Sequence, residues 1–107
     1  MVKFANAFSL SMLGDVTTTR LIVRKLSKEE VKLILSQGFE SYIGHQDTAN
    51  VLSNELGLDV PCNRGMLLLG KDDVAIVAQY MGGRLPEGAT QLPEGATFTY
   101  YLVKYWE

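Results

Sequence analysis

Two helical patterns, each fenced by its own start and stop signals, interrupt a chain whose other apolar segments have strand character. This alternation restricts the fold more than any other feature. The first pattern opens at Ser27, three residues ahead of Glu30, the arrangement of a capping box: the hydroxyl answers an orphan amide and the carboxylate bonds back. Val31, Leu33, Ile34 and Leu35 then form a side to bury, and Gly38 closes the helix. The second pattern follows Gly44-His45-Gln46-Asp47-Thr48. Val51, Leu52 and Leu56 recur there at helical spacing, Asp47 or Thr48 is the expected N-cap, and Gly57 stands just beyond the end. His45 therefore falls at or just before a helix N-terminus.

Around these helices, Val2 to Phe8 reads as a short strand and the β-branched stretch Thr17 to Leu26 as a second, with Ser9 to Val16 a loop between them. Phe39 to Ile43 is a strand or an extended link. Met66 to Leu69 and Val74 to Met81 flank the polar turn Gly70-Lys71-Asp72-Asp73, which predicts a hairpin of largely buried strands. Thr97 to Trp106, with five aromatic residues in ten positions, completes the set. The expected fold is α/β: a mixed sheet of about five strands covered by two main helices, in one compact domain over residues 1–107.

Between Met81 and the last strand the segment Leu-Pro-Glu-Gly-Ala-Thr occurs twice, at Leu85 to Thr90 and at Leu92 to Thr97, offset by seven residues. So long a loop in so small a domain suits a lid or binding element, and its plain alternative is a rigid, proline-punctuated connection. The repeat is too short and too few in number for a solenoid.

Charge and cysteine content narrow the partners. Ten basic against twelve acidic side chains leave a net charge of −2, which excludes binding long nucleic acid by blanket phosphate neutralisation. Any nucleotide must be met locally. Cys62 is the single cysteine, so no intrachain disulfide forms, and with one histidine no closed zinc site can be built. A reducing cytoplasm is the expected compartment. The longest apolar run, Val74 to Ala78, is far below the ~20 residues that span a bilayer, and no charged-then-apolar leader opens the chain.

Few residues remain to carry chemistry. His45 is the only histidine, hence the one side chain that ordinarily titrates near neutrality. A lone histidine is commonly structural, but amides at a helix start attract phosphate, and a bound phosphate would favour the protonated, acidic ring. Glu87 follows Pro86 three residues after Arg84, and Glu94 in the second copy is its internal control. Arg64, after Asn63 and ahead of a buried stretch, can fork onto a phosphate or reach solvent. Metal-ligand clusters, a Walker loop and a nucleophile elbow are all lacking from the sequence. A phosphodiesterase built from this set would borrow its nucleophile from the substrate. RNA offers its own 2′-hydroxyl, provided that the leaving 5′-oxygen receives a proton.

Asn6-Ala7-Phe8-Ser9, Ile43-Gly44-His45, Asn63-Arg64, Gln79 and Arg84-Leu85-Pro86-Glu87-Gly88, in this order, resemble the viral anti-CRISPR ring nucleases, a family that also has bacterial members tied to type III CRISPR systems. The likeness runs from residue 6 to residue 88 and on into an aromatic final strand. It implies a homodimer that binds cyclic tetra-adenylate across the subunit interface and cleaves it, with no metal or other cofactor, to linear di-adenylate bearing a 2′,3′-cyclic phosphate. His45 matches the general acid and Glu87 the supporting carboxylate. Arg64 and Arg84 match phosphate-contacting arginines, while Asn6, Ser9, Gly44 and Gln79 match ligand-binding positions. Two other classes of function compete with this expectation: a sensor or sponge that holds cyclic oligoadenylate without cleaving it, and an interaction protein that uses the aromatic strand to dimerise.

Overall fold

The computed structural model describes residues 1–106. Its elements are β1 (Val2–Ala5), β2 (Leu21–Leu26), α1 (Lys28–Ser36), β3 (Glu40–Ser41), α2 (Gln46–Leu56), β4 (Val74–Met81) and β5 (Thr97–Tyr105), with a 3-10 turn at Leu10–Leu13 after β1. The five strands form one mixed sheet in the order β2-β5-β4-β1-β3. β1 is parallel to both β3 and β4, whereas β5 is antiparallel to β4 and β2. This is the α/β architecture expected from the element pattern.

Side-chain alternation along the strands divides the core in two. Phe4, Leu26, Ile76, Ala78, Phe98 and Tyr100 face Val31 and Leu35 of α1 and Val51, Leu52 and Leu56 of α2. Phe4, Ile76 and Leu52 lose all contact with water, a burial that contributes ~1.5–3 kcal/mol for each such side chain. The opposite sheet face carries Ala5, Ala75, Val77, Val103 and Tyr105, covered by Leu67 and Leu69, by Met12 and Leu13 of the 3-10 turn, and by Phe8 and Tyr42, with neither α1 nor α2 over it. Helices thus protect one side, and the other is thinly clad.

Four boundaries differ from the sequence expectation. Met66 to Leu69 is not a strand, and the hairpin with β4 does not form, because β1 and β5 already occupy both sides of β4. The stretch instead lies against the far face, burying Leu67 and Leu69 while Met66 and Leu68 stay exposed. The N–H of Leu69 donates to the Met12 carbonyl at 2.7 Å, and Lys3 Nζ to the Leu68 carbonyl at 2.8 Å. β1 stops at Ala5 rather than Phe8, and β2 begins at Leu21 rather than Thr17, where the β5 ladder starts. The N-cap of α2 is His45, two residues before Asp47 and three before Thr48, the two candidates. By contrast, the capping box of α1 is present in both directions, at 3.1 Å for the Glu30 N–H to Ser27 Oγ and 2.9 Å for the Ser27 N–H to Glu30 Oε1.

Parallel pairing has one consequence for function. The carboxyl ends of β1, β3 and β4 reach the same edge of the sheet. At that edge β1 runs into Asn6, β3 leads through Ile43 to Gly44 and His45, and β4 gives way to the Gly82–Gly83–Arg84 corner. In open α/β sheets this is the edge at which ligands are bound.

Candidate active site

His45 leaves β3 in an extended conformation, with φ −130° and ψ 130°, before the chain turns into α2. Its Nδ1 accepts the backbone N–H of Asp47 at 3.2 Å, the bond by which an N-cap satisfies the first helical turn. An accepting Nδ1 carries no proton, so the neutral ring bears its hydrogen on Nε2. Asp47, displaced from the cap, lies within the first turn, and its carboxylate reaches away from the helix: Oδ2 accepts the N–H of Gly88 at 2.9 Å.

That bond fixes the first copy of the repeated segment. Pro86-Glu87-Gly88-Ala89 is a tight turn closed by the Ala89 N–H on the Pro86 carbonyl at 3.1 Å, with Gly88 at φ +78°. Pro93-Glu94-Gly95-Ala96 repeats it, closed at 3.0 Å with Gly95 at φ +81°. Glycine is required at both, since positive φ at this turn position strains any residue with a Cβ. Farther along, Asn54 Nδ2 donates to the Thr90 carbonyl at 3.1 Å, and Leu85, Ala89 and Leu92 pack on the main core. The loop is therefore a tethered wall.

The outcome is a cleft of about 660 Å³ lined by His45, Asp47, Thr48, Arg84, Leu85, Pro86 and Glu87. His45, Arg84 and Glu87 all face solvent there. Among the described residues, Arg84 makes no ion pair, so its guanidinium is open to an incoming anion. Arg64 does not line this cleft but is tied to the residue before His45. Its Nε donates to the Gly44 carbonyl at 3.1 Å, and its backbone is held in place through Asn63, whose N–H donates to the Ile43 carbonyl at 2.8 Å. Glu94 lines none of this cleft.

The remaining site candidates lie elsewhere. Asn6 and Gln79 border a second hollow of about 410 Å³ on the thinly covered sheet face, with Phe8, Val23, Val77, Tyr101 and Val103 as its apolar floor. Ser9 lines neither hollow and bonds through its hydroxyl to Ser11 at 2.7 Å. Asp47 was legible only as a helix cap. The available sequence signal for its tethering role is an acidic residue in the first turn of a helix together with a distant glycine turn, a pattern too common to single it out. No group of three His, Cys, Asp or Glu side chains that could hold a metal ion converges among the described residues.

Residues 2–102 match the STIV B116-like family. The chain belongs to this family. Two similar proteins are viral. The uncharacterized protein ORF117 of Acidianus two-tailed virus is 37% identical over 89 residues, covering 77% of this chain and 75% of the relative. Among solved structures, B116 of Sulfolobus turreted icosahedral virus superposes with a TM-score of 0.80 at 26% identity, over 96% of this chain and 97% of that one. The B116-like fold thus spans the domain as a whole. None of the helices is long and apolar enough to cross a membrane, among the described residues.

Proposed function

We propose that this B116-like chain is a ring nuclease that opens cyclic tetra-adenylate, the second messenger of type III CRISPR defence, and so silences that signal. The observation that carries the reading is the meeting of His45, Arg84 and Glu87 in one solvent-open cleft at the carboxyl edge of the parallel strands. A proton donor, a phosphate clamp and a carboxylate are what 2′-hydroxyl attack requires.

In this mechanism Arg84 and Arg64 fork onto phosphate oxygens and hold the linkage in line. The 2′-oxygen attacks the adjacent phosphorus and gives its proton to Glu87. The P–O5′ bond breaks, and His45 delivers a proton from Nε2 to the departing oxygen. The products carry a 2′,3′-cyclic phosphate at one end and a 5′-hydroxyl at the other. Acid catalysis requires the imidazolium, which bears a second proton on Nδ1. Charging the ring therefore releases the Asp47 N–H, and the phosphates of the bound ring supply the negative potential that favours this state.

A ring of four nucleotides can present two-fold symmetry, and an isologous pair of chains matches it with one His45 for each of two opposed linkages. The thinly covered sheet face supports pairing: Val23 is 61% exposed beside Val77, Tyr101 and Val103. Asn6 and Gln79 at its rim would then contact the bases.

The test is chromatography of products after mixing the protein with cyclic tetra- and hexa-adenylate in chelator. Linear di-adenylate with a 2′,3′-cyclic phosphate is expected, and an intact ring after prolonged incubation overturns the proposal. One observation favours a second reading, binding without cleavage: in the capping tautomer Nδ1 is engaged by the Asp47 N–H, and the neutral ring offers a ligand only the hydrogen-bond donor Nε2–H. A large thermal shift with cyclic tetra-adenylate, of order 2.7 kcal/mol at 100 times Kd, without any product would select it.

A further inference from the structure

The two Pro-Glu-Gly-Ala turns have the same sequence and the same backbone geometry, yet only the first stands at the cleft. Their difference lies in what holds them. The Gly88 N–H in the first turn is bonded to Asp47 Oδ2 at 2.9 Å, a contact between residues 41 apart in sequence. Asp47 also gives its own backbone N–H to His45 Nδ1 at 3.2 Å. One residue at the start of α2 thus touches both the ring and the turn that presents the carboxylate.

From this we infer that Asp47 is a positioning residue: its carboxylate latches the Glu87 turn against the α2 N-terminus, and its amide sets the His45 ring before ligand arrives. The inference rests on the ring-nuclease reading for its consequence, but the latch itself is a property of the free chain. The bond is charge-assisted, with an ionised acceptor, and so is among the stronger kinds of hydrogen bond. Glu87 is adjacent to the bonded amide, so loss of the latch frees the carboxylate to leave the cleft. A displacement of about 1 Å in such an arrangement costs on the order of 100-fold in rate. Substrate affinity depends on Arg84 and Arg64, which Asp47 does not touch through its carboxylate.

Two readouts separate the latch from the reaction. Amide hydrogen exchange at Gly88 is measured in the wild-type chain, Asp47→Ala and Asp47→Asn, and single-turnover cleavage of cyclic tetra-adenylate is measured in the same three proteins. Asp47→Asn keeps an oxygen that can accept the Gly88 N–H and keeps a good first-turn residue, which guards against a variant that merely unfolds. Expected are Gly88 exchange at least about 10-fold faster in Asp47→Ala, a cleavage rate lower by about 10- to 100-fold, ligand affinity within a few-fold, and recovery of most of both losses in Asp47→Asn. Unchanged Gly88 exchange in Asp47→Ala overturns the latch. Faster exchange with an unchanged cleavage rate overturns its positioning role, as does an Asp47→Asn protein no better than Asp47→Ala. If the wild-type chain leaves the ring intact, the ring-nuclease reading falls, and the Gly88 exchange still decides whether Asp47 holds the turn.

Discussion

Arg64 donates its Nε–H to the carbonyl of Gly44 at 3.1 Å, which ties the guanidinium to the residue that precedes His45. Its terminal nitrogens have no hydrogen-bond or ion-pair partner among the described residues, which leaves a fork of donors free for an anion. Lysine can neither make the Nε bond nor present a fork. Arg64→Ala and Arg64→Lys are both expected to weaken cyclic tetra-adenylate binding by about 10-fold or more, measured by equilibrium titration, with little restoration by lysine.

His45 has two separable duties, capping α2 and donating a proton. His45→Asn keeps a strong N-cap residue but has no titratable ring. It should melt within about 0.5 kcal/mol of wild type, whereas His45→Ala should lose about 1 kcal/mol. Both should cut single-turnover cleavage by about 100-fold or more while holding affinity within a few-fold. Turnover surviving in His45→Asn would remove the ring from the mechanism.

Glu87 lines the cleft and Glu94 does not, although both follow a proline and precede a glycine at positive φ. Glu87→Gln is expected to slow cleavage by at least about 10-fold and Glu94→Gln to leave it unchanged. The reverse order in a side-by-side rate measurement would move the functional carboxylate to the second turn.

Tyr100 is 4% exposed and its hydroxyl has no hydrogen-bond partner. Burial, with a smaller contribution from the nearby Glu55 carboxylate, pushes its phenol up to about 12. The folded state therefore keeps a proton that the unfolded chain loses above about pH 10, and stability should decline between pH 10 and 12. Tyr100→Phe removes the orphan hydroxyl and should be neutral to about 1 kcal/mol more stable at neutral pH, with a shallower alkaline decline in chemical denaturation.

For Asp73, burial alone raises the carboxyl, but the Gly70 N–H at 2.7 Å and the Lys3 ammonium at 3.0 Å outweigh it and hold the group below its usual 3.8. A depressed carboxyl stabilises the fold above its unfolded value, and the effect is lost as pH falls through the folded one. Wild type should lose this increment below about pH 4, whereas Asp73→Asn should start about 1–3 kcal/mol less stable and show a flatter acid profile by thermal melting.

The features legible in the sequence were those decided by near neighbours. The α1 capping box needs only Ser27, Glu30 and their own backbone, and Gly38 ends the helix within the same few residues. The long strands β4 and β5 showed in their runs of apolar and aromatic residues. Competition over distance was not legible. Met66 to Leu69 has the composition of a strand, but β1 and β5 leave β4 no free side. The choice of His45 over Asp47 as cap depends on where the Asp47 carboxylate finds Gly88, 41 residues on. Sheet parity explains the division of the candidate site: Gln79 shares a face with Val77, away from the helices, so it and Asn6 line a different hollow from His45. The pattern along β4 reveals the parity without telling which side the helices will cover.

Leu85, Ala89 and Leu92 lean on the same cluster of side chains that joins α1 and α2 to the sheet. The outer wall of the cleft is consequently expected to melt with the core rather than in a transition of its own. Warming or denaturant should abolish ligand capture and dissolve the tertiary structure at a single midpoint, and a substitution that loosens Phe4 or Ile76 should reach the chemistry from the centre of the molecule without touching a reacting group.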